Sequence, residues 1–363
     1  MFTSQCSLQE SIDGEDKSTD LDPEEEAPPG NFYYALYEIR DDSSVTLIDT
    51  NLPSQAEPDL QSHISKRLGK GTLLFGIGST ATLELSIPEK VIGCYHCLFQ
   101  QDKHGAEEDK TFLNYVVCFL GGTEKGLELF RVELDGYVQE LPSSLILQES
   151  DMKTEIGIYV SSWYEDSIMY IHRVVLLAQE RISSLLHAAL RRTPVNVLGA
   201  DDKTKQDIER FLNAASVHGL AQEDVSSASS CGASVVEPQK SLLIDCSQLQ
   251  PTFLNEGKNR FCEEWSQAFL NSAEGGNAFL LRQILENFKL KAIQDLNNLK
   301  RLVRQAETSH YALFRCYTFL QNCGNGDVLL QNVKVEYAEM PEAGSIVQVL
   351  EEFSQEETLS HLN

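Results

Sequence analysis

From Phe279 to Leu320 the chain repeats apolar residues every three or four positions: Leu285, Phe288, Ala292, Leu296, Leu299, Val303, Ala306, Leu313, Tyr317 and Leu320. His310 fills one slot, and neither Pro nor Gly interrupts the run. The spacing predicts one long helix with an apolar stripe along a single face. Leu281, Ile284, Ile293, Leu302 and Phe314 widen that stripe, so the helix is expected to meet more than one neighbour. Asn297-Asn298 is its weak point.

The same reading applied upstream predicts shorter elements. Phe32 to Ile39 and Val45 to Ile48 read as paired strands, and Asp59 to Leu68 as a helix stopped by Gly69. Thr72 to Ile77 and Ala81 to Ile87 read as a hairpin about Gly78-Ser79, with Val91 to Gln100 a further strand. The nearly all-apolar run Tyr115 to Leu120 reads as a central strand, and Glu124 to Leu141 as a helix. This order of elements resembles the longin or roadblock type of small α/β domain. Ile156 to Arg192 has helical spacing at Trp163, Ile171, Val175, Ala178, Ile182, Leu185 and Ala189, and Thr193-Pro194 ends it. Asp201 to Ser216 reads as a helix, Ser241 to Cys246 as a buried strand, and Phe261 to Leu270 as the start of a helix broken by Gly275-Gly276. Asp327 to Tyr337 alternates as a strand would, and Glu342 to Phe353 closes as a helix with Ser354 to Asn363 fraying. The expected fold class is α+β: a longin-like α/β domain over 31–141, then a mostly helical part with a few strands and one long organising helix. A helical region over 142–217, a mobile Ser-rich loop over 218–240, and a helical region with strands over 241–363 complete the division.

Charge changes this picture at two places. Residues 1–30 hold nine acids, a single Lys and three Pro; such a stretch buries too little apolar surface to offset its ordering entropy, so a disordered acidic tail is expected. In a chain of net charge -26, the outer face of the long helix inverts the sign. Arg282, Lys289, Lys291, Lys300, Arg301, Arg304 and Arg315 stand there against only Glu286, Asp295 and Glu307. Three uses fit that face: offsetting the protein's own acidic segments, docking an acidic partner protein, or meeting anionic lipid. Lys289, Lys291, Lys300, Arg301 and Arg304 are the candidate partner-binding residues. The overall acidity argues against general nucleic-acid binding. No stretch approaches the roughly 20 apolar residues of a membrane span. The N-terminus lacks a basic segment followed by an apolar one, and nine scattered cysteines read as reduced thiols, so a cytosolic location is expected.

Candidate chemistry is sparse. Cys94 and Cys97 have the spacing of a zinc knuckle or redox pair, but they sit three apart in a strand and so face opposite sides, with no second pair beside them. A hydrolase using either thiol would require a depressed thiol pKa. Gly76-Ile77-Gly78-Ser79 lacks the third glycine and the following helix of a phosphate loop, and Gly121-Gly122 lacks a Lys-Ser/Thr ending. Both read as turns. The eight histidines never pair at i, i+4, and Glu263-Glu264 and Glu351-Glu352 point apart. No cofactor or metal is expected, and the protein reads as non-enzymatic.

Several strings carry a specific resemblance. They are Asp49 to Ser54 (DTNLPS), YVVCFLGG at 115–122 with EKGLELFRVELD at 124–135, RVVLL at 173–177, and ENFKLKAIQDLNNLKRLVRQAETSHYALFRCY at 286–317. From about residue 30 to residue 353, the acidic N-terminus and the loops at 101–110 and 221–240 apart, the chain resembles the Njmu-R family. That resemblance implies a subunit of a trans-Golgi tethering assembly with no catalytic residues to carry over. Its implied partners are a WD-repeat propeller protein and a FAM-ninety-one family subunit, working with a TBC-domain bridge so that golgins capture endosome-derived, clathrin-adaptor vesicles. It further implies a peripheral trans-Golgi location and a link to spermatogenesis. The longin-like order suggests an alternative, a small-GTPase-binding regulatory module.

Overall fold

The computed structural model describes residues 32–40, 42–86, 89–102, 112–144, 152–217, 240–248, 250–337 and 340–360. The acidic tail expected at 1–30, and nearly all of the Ser-rich loop expected at 218–240, lie outside the described residues. The chain from Asn31 to Asn363 forms one compact unit.

Alternating side chains build a sheet with two buried faces. β1 (Tyr33–Ile39) and β2 (Val45–Thr50) form a hairpin, α1 (Glu57–Gly69) follows, and β3 (Ser79–Leu85), β4 (Lys90–Asp102) and β5 (Phe112–Leu120) complete an antiparallel sheet of order β2-β1-β5-β4-β3. Successive residues of β4 serve opposite faces, as a strand's two-residue period dictates. Cys94 and Leu98 join Ala35, Tyr37, Leu60 and Ile64 beneath α1, while Tyr95, Cys97 and Phe99 join Leu36, Val117 and Phe119 on the other side.

That second face is roofed by helices. α2 (Glu124–Leu129) begins at Thr123, whose hydroxyl accepts from the Gly126 N–H at 3.0 Å, and α3 (Arg131–Ser144) continues after a one-residue break. The Gly121-Gly122 turn before α2 is close-packed: a Cβ on Gly121 would lie 2.3 Å from the Phe32 ring. Then come α4 (Met152–Ser161), α5 (Trp163–Ser167), α6 (Tyr170–Ala178), a 3-10 turn and α7 (Ile182–Arg191). The seven positions expected on the buried side here are all buried. The run over 156–192 is nevertheless several helices, and Gln179 at φ 47 ends α6. Periodicity survives such breaks because burial, not backbone continuity, sets it.

The second half adds a small sheet and two layers of helix. β6 (Val195–Leu198), α8 (Asp202–Ala215) and β7 (Leu242–Asp245) form a parallel crossover, with β8 (Thr252–Leu254) antiparallel at the far edge. β6 and β8 are too short to show a period. α9 (Arg260–Ala273) leads to α10 (Ala278–Ala306), started by Asn277, whose side chain accepts from the N–H groups of Phe279 and Leu280. α11 (His310–Cys323), α12 (Gly326–Glu336) and α13 (Pro341–Ser360) follow.

Three expectations are corrected here. The long helix expected over 279–320 breaks at Glu307 to Ser309, not at Asn297-Asn298, which stay helical and exposed. The Thr308 hydroxyl donates to the Gln305 carbonyl at 3.3 Å, a local bond that competes with the helix ladder and favours an interruption. Ala306 and Leu313 are seven residues apart, two helical turns, so the spacing alone gives no sign of the break. The strand expected over Asp327 to Tyr337 is α12. Leu329, Val333 and Tyr337, four apart, are buried, and Val335 is 73% exposed where alternation would bury it. The hairpin strand expected at Thr72 to Ile77 is also absent, because β3 pairs with β4 instead.

α10 spans two cores. Ala278, Leu281, Leu285, Phe288 and Ala292 belong to the core on the roofed face of the main sheet, which reaches from Tyr34 to Val328. Leu296, Leu299, Leu302 and Val303 belong to a separate core shared with α11, α12 and α13.

The face under α1 generates a pH prediction. His63 of α1 stands edge-on to the buried His96 at 5.7 Å between ring centroids. Burial, helped by His96, Arg67 and Lys66, lowers the His63 pKa to about 4. The folded state therefore binds fewer protons than the unfolded chain between that value and the ordinary one, so this site costs stability as pH falls from about 6.5 toward about 4. Thermal midpoints measured across this window should fall more steeply for the wild type than for His63→Gln.

Candidate partner-binding surface

The seven cations of the 282–315 stretch divide by the phase of α10 and α11. Arg282 turns inward and is 6% exposed. Its Nη1 donates to Glu133 Oε1 at 2.7 Å and to the Tyr170 hydroxyl at 2.8 Å, while its Nε lies 3.0 Å from Glu286 Oε1. Tyr170 in turn donates to Glu133 at 3.1 Å, and the guanidinium lies 5.3 Å above the Phe130 ring. Burial works against the Arg282 charge, but Tyr170, Glu133 and Glu286 outweigh it and hold its pKa above the ordinary value. Burial pushes the Tyr170 phenol up strongly, which keeps it a hydrogen donor. This cluster ties α10 to α3 and α6; it is not part of an outer face.

Three of the five candidate residues are also engaged within the chain. Lys289, its side chain 13% exposed, meets Glu286 Oε2 at 3.1 Å. Lys291 meets the buried Asp295 at 3.0 Å, and Lys300 pairs with Glu336 of α12. Arg301 and Arg304 remain exposed, and no ion pair reaches them among the described residues. Arg315, on α11, is exposed in the same way. The sign inversion read from the sequence thus resolves into an internal network over 282–300 and a free basic end over 301–315.

The turn at Glu307 to Ser309 gives that end its composition. It returns α11 against α10, so Cys316 and Leu320 share a core with Leu299, Leu302 and Val303. With Ala312, Cys316 and Leu320 inward, Tyr311 and Phe314 point out and are 71% and 62% exposed. A continuous helix would have placed His310 in the stripe and Phe314 at its border; both are exposed instead. The hairpin end thus carries Arg301, Arg304, Arg315, Tyr311 and Phe314 within two helical turns of one connection. Arginine forks match carboxylates in two hydrogen bonds, and exposed aromatic side chains are the usual anchors of protein interfaces. Sequence reasoning missed the aromatic pair because only the break reveals their phase.

The remaining chemical candidates lie apart. Cys94 and Cys97 face opposite cores, as a strand spacing of three requires. A hydrogen bond from Cys118 draws the Cys94 thiol below its ordinary value against its burial, while burial raises Cys97 to about 11. Among the described residues no three His, Cys, Asp or Glu side chains are placed to hold a metal ion. A groove of about 490 Å³ between α7, α8 and β6 is floored by Ala188, Val195, Val197 and Ile208 and edged by Arg192 and Lys205.

The internal network yields a stability prediction. Arg282→Ala should cost about 3–5 kcal/mol in urea denaturation, because it strands the Glu133 charge in the interior. The double variant Arg282→Met with Glu133→Leu should recover much of that loss. A double variant no more stable than the single one would show that the pair is not energetically coupled.

Comparison with known proteins agrees with the strings quoted above. The sequence model of the Njmu-R1-like protein family matches residues 14–356. Protein Njmu-R1 of Mus musculus is 51% identical over 390 aligned residues, covering 96% of this chain and 98% of the mouse protein. A match of that identity along nearly the whole length of both chains leaves one reading: the protein belongs to the Njmu-R1-like family.

Proposed function

We propose that the protein is a non-enzymatic adaptor or scaffold subunit of a trans-Golgi tethering assembly. In this reading it works from the cytoplasmic side, without a cofactor, beside a WD-repeat propeller protein and a FAM-ninety-one family subunit. A TBC-domain bridge links the assembly to golgins that capture endosome-derived vesicles. The observation that carries the reading is the hairpin end of α10 and α11: three arginines without an ion pair among the described residues, beside two outward aromatic rings. Such a surface suits an acidic partner, because charge sets approach and register while the rings supply desolvated contact. Among the described residues no helix is long and apolar enough to cross a membrane, which is compatible with a peripheral role.

The test is size-exclusion chromatography with light scattering on the full chain mixed with both proposed subunits. The wild type should elute in a stable larger species. Arg301→Glu with Arg304→Glu should lose it while keeping the wild-type thermal midpoint, since both side chains are exposed and carry no ion pair among the described residues. Lys300→Glu is the contrasting variant: it breaks the pair with Glu336, so its effect should appear in unfolding rather than in assembly. A wild-type chain that stays monomeric beside both subunits would remove the adaptor reading.

A second reading, a small-GTPase-binding module, follows from the longin-like order expected from the sequence, of which the main sheet has one strand fewer: strand–strand–helix–three strands–two helices. Pull-downs against nucleotide-loaded Rab and Arf proteins would then show capture in one nucleotide state only, and equal or absent capture would discard it.

A further inference from the structure

Between α1 and β3 the chain exposes three large apolar side chains in four residues. Leu74, Phe75 and Ile77 are each 54% exposed. Their backbone is held firmly. Leu74 and Ile77 bridge each other across Gly76, whose φ of 69 suits glycine, and Phe75 bridges to Leu98 of β4. The Gly76 N–H donates to the Leu98 carbonyl at 2.8 Å, and the Thr72 N–H and hydroxyl both donate to the Arg67 carbonyl at 3.1 Å. At the far end the Gly78 N–H donates to Asp135 at 2.9 Å, and the same carboxylate oxygen accepts from the Tyr95 hydroxyl at 2.6 Å. A Cβ on Gly78 would lie 2.2 Å from the Tyr95 ring, so the base of the turn is seated directly on β4. The turn therefore presents its side chains to solvent from a fixed frame.

The charge beside it is unusual for this chain. Lys66 and Arg67 end α1 and Lys70 caps it, a few residues before Leu74. No ion pair reaches any of the three among the described residues, and the helix's own acids, Glu57 and Asp59, stand at its opposite end. Asp135 beneath the turn is occupied by its two hydrogen bonds.

We propose that this turn is a membrane-contact element. Leu74, Phe75 and Ile77 enter the boundary between headgroups and acyl chains of an anionic bilayer, and Lys66, Arg67 and Lys70 meet lipid phosphates and carboxylates. Apolar side chains gain by that transfer, whereas backbone groups entering it need internal hydrogen bonds, which the turn supplies through Gly76 and Thr72. Anionic lipid favours each nearby cation, and the acids elsewhere on the chain are screened beyond about 8 Å at physiological salt. The inference does not depend on the adaptor reading: it concerns the opposite end of the sequence from the arginine hairpin and needs no protein partner.

The test floats the full chain with phosphatidylcholine vesicles and with vesicles that are about a third phosphatidylserine. Binding to the anionic vesicles should exceed binding to the neutral ones roughly tenfold and weaken with added salt. Leu74→Ser with Phe75→Ser, and separately Lys66→Glu with Lys70→Glu, should each reduce it roughly tenfold, with thermal midpoints at the wild-type value. Phe75→Trp should shift its emission to the blue with anionic vesicles only. Arg301→Glu with Arg304→Glu should leave vesicle binding unchanged, which separates this surface from the hairpin. Equal retention on both vesicle types, or anionic binding indifferent to the serine variants, would overturn the proposal. So would serine variants that lose co-elution with protein subunits while the wild type binds no vesicles, since the turn would then belong to a protein partner.

Discussion

Burial of α10 on two sides is the constraint on which this architecture rests. Its first half supplies Leu281, Leu285 and Phe288 to a core that also takes Phe119 from the main sheet and Trp163 from α5. Its second half supplies Leu299 and Val303 to a core closed by the last three helices. A helix with one apolar stripe meets a single layer, but this one is apolar over a broad arc and its neighbours change along its length. Because the stripe is broad, few positions remain for charge, and they are not equivalent. Arg282 falls inside and must be compensated by Glu133, Tyr170 and Glu286. Arg301 and Arg304 fall outside and have no ion pair among the described residues.

The distinction matters for how a basic face is read. Seven cations on one stretch look like a single surface when counted along the sequence. In three dimensions most of those on α10 hold the molecule to itself: to α3 through Glu133, to α12 through Glu336, and along the helix through Glu286 and Asp295. Ion pairs of this kind position elements more than they stabilise them, because desolvation offsets much of the attraction. The charges left over gather at the hairpin end, where among the described residues no carboxylate is paired with Arg301, Arg304 or Arg315.

Much of the fold was legible in the sequence, for reasons that also explain what was not. The run from Tyr115 to Leu120 is apolar throughout because both faces of β5 are covered, and the buried positions from Trp163 to Ala189 followed from their spacing alone. Breaks were harder to see. The turns at Gln179 and at Glu307 to Ser309 leave the spacing of apolar residues in sequence nearly intact, so periodicity passes over them. α12 was misread because Val328, Leu330, Val333 and Val335 mimic alternation, and only the packing of Leu329 and Tyr337 identifies the helix. Of the candidate surface, Arg301 and Arg304 were legible; Lys289, Lys291 and Lys300 were not separable from them, since their partners on other turns and on α12 come from tertiary placement. Tyr311 and Phe314 needed the break to be known first.

The two cores differ in the span of sequence they draw on. The core around Phe119 and Trp163 gathers residues from Tyr34 to Val328 and cannot close until nearly the whole chain is available. The core of α11, α12 and α13 uses residues from Leu296 to Leu350, so its contacts are local and its loop-closure entropy small. Among the described residues, α10 is the helix with a long buried run in both. The C-terminal helices are not detached from the rest: Asp327 of α12 meets His187 of α7 at 2.8 Å, Arg191 donates to Gln331 at 2.7 Å, and Val328 belongs to the first core. The arginine hairpin thus stands on a core that is local in sequence yet anchored to the roof of the sheet through α12.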